Sequence, residues 1–157
     1  MHTLTRRSLT ALALAATLAA RADAPPPVPS PSDPLVIQLK DAQWTPLKVA
    51  DAPAGVVIPP GIMVWRLAAD PQTGASLAYA KFPPGSVFPM HWHSHPEYTV
   101  LVSGSQRFTM DGKTYDLVPG GYVAIPAKTL HSVTCNAGAE CITLIRRSGP
   151  VDYHFEK

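Results

Sequence analysis

At 157 residues the chain has room for one domain with an ordinary core, and a second domain would leave too little for either. Its charged fraction of 15% lies well below the roughly 25% usual for soluble domains. Its 18 prolines and 10 glycines interrupt it too often for long helices, which leaves an all-β protein as the best fit.

Residues 1–24 read as an export signal that the mature protein loses. Arg6 and Arg7 supply the basic start, Leu9 to Ala20 form a twelve-residue apolar run, and Ala20-Arg-Ala22 or Ala22-Asp-Ala24 offers a small-residue cleavage site. The run falls short of the about 20 residues that span a bilayer, so no stable membrane anchor is expected. Thr5-Arg6-Arg7-Ser8-Leu9 resembles a twin-arginine signal, with an ordinary secretory signal as its close competitor. Either route places the mature chain outside the cytosol, in a periplasmic or extracellular setting.

Loss of this segment removes Arg6, Arg7, Arg21 and Asp23, leaving ten basic and ten acidic residues. The remainder is formally neutral and carries no basic stripe to match phosphates, so nucleic acid is not an expected partner. Residues 25–34, Pro-Pro-Pro-Val-Pro-Ser-Pro-Ser-Asp-Pro, form a proline-rich linker. The folded domain is expected over 35–157.

From Leu35 onward short apolar segments alternate with turn residues, as in a sandwich or barrel. Strands are expected at 36–39, 56–58, 63–67, 77–82, 98–103, 106–110, 113–117, 122–125, 131–134 and 142–146. Asp111-Gly112 between two such segments is a strong hairpin signal, because both central positions of a type I′ turn need positive φ. With Ser103-Gly104-Ser105 turning the preceding strand, the segments 98–103, 106–110 and 113–117 are expected to form an antiparallel meander.

Chemistry concentrates in Gly85-Ser-Val-Phe-Pro-Met-His91-Trp-His93-Ser-His95-Pro-Glu97. On a strand His91 and His93 project from the same face with Cα atoms roughly 6.5 to 7 Å apart, which suits two neighbouring positions on one metal. Pro96 interrupts a straight strand, and a bend there would fold Glu97 back toward the ion. Two imidazoles and one carboxylate describe a facial set with open positions for water, dioxygen or substrate.

The pattern Gly85-x5-His91-x-His93-x3-Glu97-x6-Gly104 resembles the first motif of the cupin superfamily at every specified position. A weaker second motif follows in Gly120-x5-Pro126-Ala-Lys128-Thr-Leu-His131-Ser-Val-Thr-Cys135. The resemblance implies an all-β double-stranded β-helix, or jelly-roll barrel, holding one divalent transition metal inside its mouth. By position it makes His91, His93, Glu97 and His131 the metal ligands, with Fe, Mn, Ni, Cu or Zn all compatible. His95 lies outside the motif positions. Lys128 replaces a usual glycine, and if its φ is positive it costs about 1 kcal/mol relative to glycine.

Cys135 and Cys141 flank an apparent hairpin loop, and an oxidising compartment favours a disulfide between them, with two buried free thiols as the alternative. Phe108 and Met110 either line a ligand pocket or pack the core, and His154 reads as a surface or edge-strand residue. Functionally the resemblance implies a small-molecule oxidoreductase, dioxygenase-like. The alternative is a non-catalytic metal-binding or ligand-sensing protein, and an isomerase ranks lower for want of a separate acid and base pair. A homodimer is compatible with either.

Overall fold

In the computed structural model the described residues are 35–50 and 52–156, so the expected leader and linker lie outside them. One short 3-10 turn, Leu39–Asp41, precedes eleven strands. These are β1 (Thr45–Pro46), β2 (Met63–Ala69), β3 (Ser76–Phe82), β4 (Val87–Trp92), β5 (Glu97–Ser103), β6 (Gln106–Met110), β7 (Lys113–Leu117), β8 (Tyr122–Ile125), β9 (His131–Cys135), β10 (Cys141–Arg147) and β11 (His154–Phe155). They build two antiparallel sheets, ordered β1-β2-β3-β10-β5-β8 and β11-β4-β9-β6-β7, the jelly-roll arrangement expected. Among the described residues no helix is long and apolar enough to cross a membrane.

Side-chain alternation explains why these segments are strands. In β9, His131, Val133 and Cys135 point inward and are buried, while Ser132 and Thr134 between them are half-buried. In β8, Val123 and Ile125 point in while Tyr122 and Ala124 face solvent. The inward set from both sheets, including Phe82, Phe88, Leu101, Phe108, Leu117, Ile125 and Val133, makes one core.

Two expected strands are absent. Residues 36–39 run without sheet pairing apart from the 3-10 turn, and Val36 is 87% exposed, so this apolar run meets no sheet edge. Residues 56–58 are likewise unpaired, with Val57 at 76% exposure, although Ile58 rests against the core. Two short strands, β1 and β11, were not expected, while β4 realises the strand on which His91 and His93 were placed and ends at Trp92.

The meander is corrected as well. β6 and β7 form the expected hairpin, with φ of 49° at Asp111 and 72° at Gly112. β5, however, pairs with β8 and β10 in the opposite sheet. The turn at Gly104 therefore carries the chain from one sheet to the other. Its φ is 85°, and a Cβ there would lie 2.6 Å from the Glu140 carbonyl oxygen, so the crossing passes too close to its neighbour for any side chain.

The same seam holds the Cys135–Cys141 disulfide. It joins the end of β9 to the start of β10, strands of opposite sheets, and so it is an inter-sheet clasp where a hairpin staple was expected. Both cysteines are fully buried. Closing so small a loop contributes about 2 kcal/mol on a chain-entropy estimate.

Candidate metal centre

The expected ligands converge from four segments at one end of the barrel. β4 and β9 pair so that His91 lies directly opposite His131. Their register shifts between Phe88 and His91, which places Pro89 and Met90 in a bulge where the proline leaves no ladder bond broken. His93 follows the end of β4 with the same inward parity as His91. Candidate ligand atoms of His91, His93 and His131 all lie within 4.8 Å of one another, and this is the group of metal-competent side chains found among the described residues.

Backbone carbonyls fix the protons on these rings. Nδ1 of His91 lies 2.8 Å from the Pro89 carbonyl oxygen, Nδ1 of His131 lies 2.9 Å from that of Thr129, and Nδ1 of His93 lies 2.5 Å from that of Asp152. A carbonyl only accepts, so each Nδ1 carries the hydrogen and each Nε2 keeps its lone pair. Nε2 of His93 and of His131 are buried with no hydrogen-bond partner. Three imidazoles, each oriented by a carbonyl and two of them with a buried, unpartnered Nε2, fit a transition-metal ion.

Electrostatics keeps His91 and His131 neutral. Burial, followed by the neighbouring His131 and His93, pushes the pKa of His91 down to about 3. His131 is lowered too, mainly by burial and against the opposing hydrogen bond to Thr129. Neutral imidazole is the form that binds metal.

Glu97 opens β5, just past the bend at Ser94, His95 and Pro96, and that bend folds its carboxylate back as expected. Its Oε2 lies 3.3 Å from Nε2 of His93. The same oxygen lies 2.6 Å from Nη2 of Arg147, and Oε1 accepts from the Thr99 hydroxyl at 3.4 Å. Burial alone would push the Glu97 carboxyl up; the Arg147 guanidinium, aided by His93, outweighs it and holds the group well below the usual carboxylate range. Glu97 thus sits beside the histidines while falling outside their 4.8 Å group.

Two loops lock this end. The amide of Lys128 donates to the His93 carbonyl at 2.8 Å, and Lys128 has a φ of 63°, the strained turn that the missing glycine implied. The chain's last described segment closes from the other side. Asp152 accepts from the Ser94 amide at 3.0 Å and lies 3.1 Å from His154, whose ring stacks on Trp92. His154 is accordingly an edge-strand residue in β11, and His95 packs its ring against the Gly149 backbone, away from the three histidines.

A cavity of about 80 Å³ opens beside the cluster. His91, His131, Glu97, Arg147 and Tyr153 form its polar wall, and Phe108 lines the apolar side while also belonging to the core. Met110 does not line it. Sequence reasoning missed Arg147, Tyr153 and the Asp152 carbonyl. For Arg147 a signal existed: it shares inward parity with Thr143 and Ile145 along β10 and pairs directly with Glu97.

Comparison with known proteins agrees with this architecture. Residues 78–145 match the cupin domain family. A 49-residue segment is 43% identical to quercetin 2,3-dioxygenase of Bacillus subtilis (strain 168), covering 31% of this chain and only 14% of that relative. Among solved structures, KdgF from Halomonas sp. superposes with a TM-score of 0.57 at 19% identity, covering 74% of this chain and 94% of its own. DMSP lyase DddQ from Ruegeria pomeroyi DSS-3 gives 0.58 at 20% identity, over 73% and 60% of the two chains. A cupin 2 conserved barrel domain protein from Rhodopseudomonas palustris gives 0.60 at 17%, over 74% and 79%. At these identities the structural likeness speaks for the fold alone.

Proposed function

Because the chain belongs to the cupin superfamily, with its domain match spanning both histidine-bearing motifs, we propose that it is an exported metal-dependent oxidoreductase, dioxygenase-like, acting on a small organic substrate. The observation that carries this reading is the set of three buried imidazoles with Nδ1 tied to carbonyls and candidate ligand atoms within 4.8 Å of one another, Nε2 of His93 and His131 being unpartnered. His91, His93 and His131 would hold one divalent ion. Such an ion supplies Lewis acidity and a template for substrate and dioxygen.

The chain's own residues supply the rest. Phe108 and its apolar neighbours would exclude water and take the hydrocarbon part of a substrate. Tyr153, with ring centroids 5.7 Å from His91 and 5.2 Å from His93, would bound the substrate on the polar side. The segment likeness to a quercetin 2,3-dioxygenase supports an oxygenation. Export is supported by the Arg6-Arg7 leader pattern and by a disulfide, which persists best outside the cytosol.

One observation favours a second reading, a non-catalytic metal-binding or ligand-sensing cupin: the carboxylate best placed to take a proton, Glu97, is engaged by Arg147. Oxygen consumption separates the two. Protein loaded in turn with Fe, Mn, Ni and Cu is expected to turn over at least one member of a catechol, flavonol and β-diketone panel, with loss of turnover in His131→Ala. Absence of turnover across the whole panel favours the second reading.

A further inference from the structure

Glu97 and Arg147 are direct partners in the β5–β10 register, so strand pairing holds the two side chains together at the inner wall of the barrel. Nη2 of Arg147 lies 2.6 Å from Oε2 of Glu97, and both side chains are nearly buried. Nη2 also lies 3.4 Å from the Tyr153 hydroxyl, and the guanidinium sits 5.2 Å from the centre of the Tyr153 ring. The other carboxylate oxygen is taken by Thr99. Thr99 thus takes one oxygen of Glu97, and the other meets Arg147 as an ion pair without a hydrogen bond of its own.

An ion held by His91, His93 and His131 would compete with Arg147 for the same carboxylate. Turning Oε2 to the ion would strand a buried guanidinium whose Nε already has no hydrogen-bond partner. The ion is exchangeable, whereas Arg147 is fixed to Glu97 by backbone pairing. Resting on the metal-binding reading above, we infer that Arg147 is a positioning residue that withholds Glu97 from the metal. The ion is then bound by three imidazoles alone, and a neutralised Glu97–Arg147 pair stands beside its open positions.

The test is Co(II) titration of the metal-free protein, reading affinity by chelator competition and coordination by the visible absorption band, with near-UV circular dichroism as the check on folding. Glu97→Gln is expected to stay within about threefold of wild type with an unchanged band, whereas removing Arg147 as Arg147→Met frees the carboxylate and tightens binding about tenfold with an altered band, the order of effect seen for groups that orient ligands. The alteration disappears in the Arg147→Met/Glu97→Gln double variant, and Arg147→Lys keeps the wild-type band.

A wild type that binds Co(II) but loses it, or changes its band, on Glu97→Gln overturns this inference and leaves the metal site intact. Superimposable bands for wild type and a folded Arg147→Met do the same. If Arg147→Met does not fold, the Glu97→Gln arm decides alone. A wild type that takes up no Co(II) overturns the metal-binding reading together with the inference built on it.

Discussion

The two ends of the barrel are built on opposite terms. At the closed end, Leu101, Leu117 and the Cys135–Cys141 clasp bury apolar atoms and sulfur, with Nε2 of Gln106 unpartnered among them. At the open end, His91, His93, Glu97 and His131 are as deeply buried and Arg147 nearly so, yet Nε2 of His93 and of His131, Oε2 of Glu97 and Nε of Arg147 find no hydrogen-bond partner. Unpartnered buried polar atoms reduce stability. One end supplies the stability that lets the other hold groups in an arrangement suited to chemistry.

That division is broken most sharply from the closed end. Leu101→Ala, in the fully buried core, is expected to lower stability by about 2–5 kcal/mol. Chemical denaturation of the metal-free protein measures it. An equal loss at any exposed strand position such as Tyr122 would remove the special standing of the closed end.

Acid attacks the open end. The ordinary His91 value near 6.5 falls to about 3 in the folded state, so below pH 6.5 the unfolded chain takes up a proton that the folded chain refuses. The contribution is complete above pH 6.5 and is lost as pH falls toward 3. Glu97, also lowered, adds a loss of the same sign below its ordinary range. Metal-free protein should lose about 2 kcal/mol between pH 6 and pH 4 from His91 alone. Stability measured across that range in His91→Asn should be correspondingly flatter.

The smallest effect tests the turn that ties the segment before β9 to the His93 backbone at the open end. Lys128 holds a φ of 63°, and Lys128→Gly should raise stability by about 1 kcal/mol, read as a shifted denaturation midpoint at unchanged slope. A destabilised Lys128→Gly would mean that the lysine side chain contributes more than the backbone strain removes.

Local pattern carried most of this architecture. Alternation in segments such as His131–Cys135 and Tyr122–Ile125 located strands, and Asp111-Gly112 located a hairpin to the residue. The same signals left sheet membership open. A turn such as Ser103-Gly104-Ser105 reports that the chain reverses, and only the pairing of β5 with β8 and β10, and of β6 with β9, reveals that it also changes sheet. The short edge strands β1 and β11 were invisible because two paired residues leave no periodicity.

At the centre, spacing sufficed for His91 and His93, since neighbours on one strand share a face, and a motif resemblance was needed for His131, thirty-four residues beyond Glu97. For Arg147 the local signal is only its parity with Thr143 and Ile145, which says that it points inward and nothing about its partner. Its role emerges from a cross-strand register that joins residues fifty positions apart.

The central claim is that the three imidazoles hold a metal, and the most direct measurement is the metal content of protein purified after native export. The account predicts about one transition-metal ion per chain in wild type and near none in His91→Ala, the loss expected when one of three ligands is removed. Wild type without stoichiometric metal, or His91→Ala with as much metal as wild type, would contradict it.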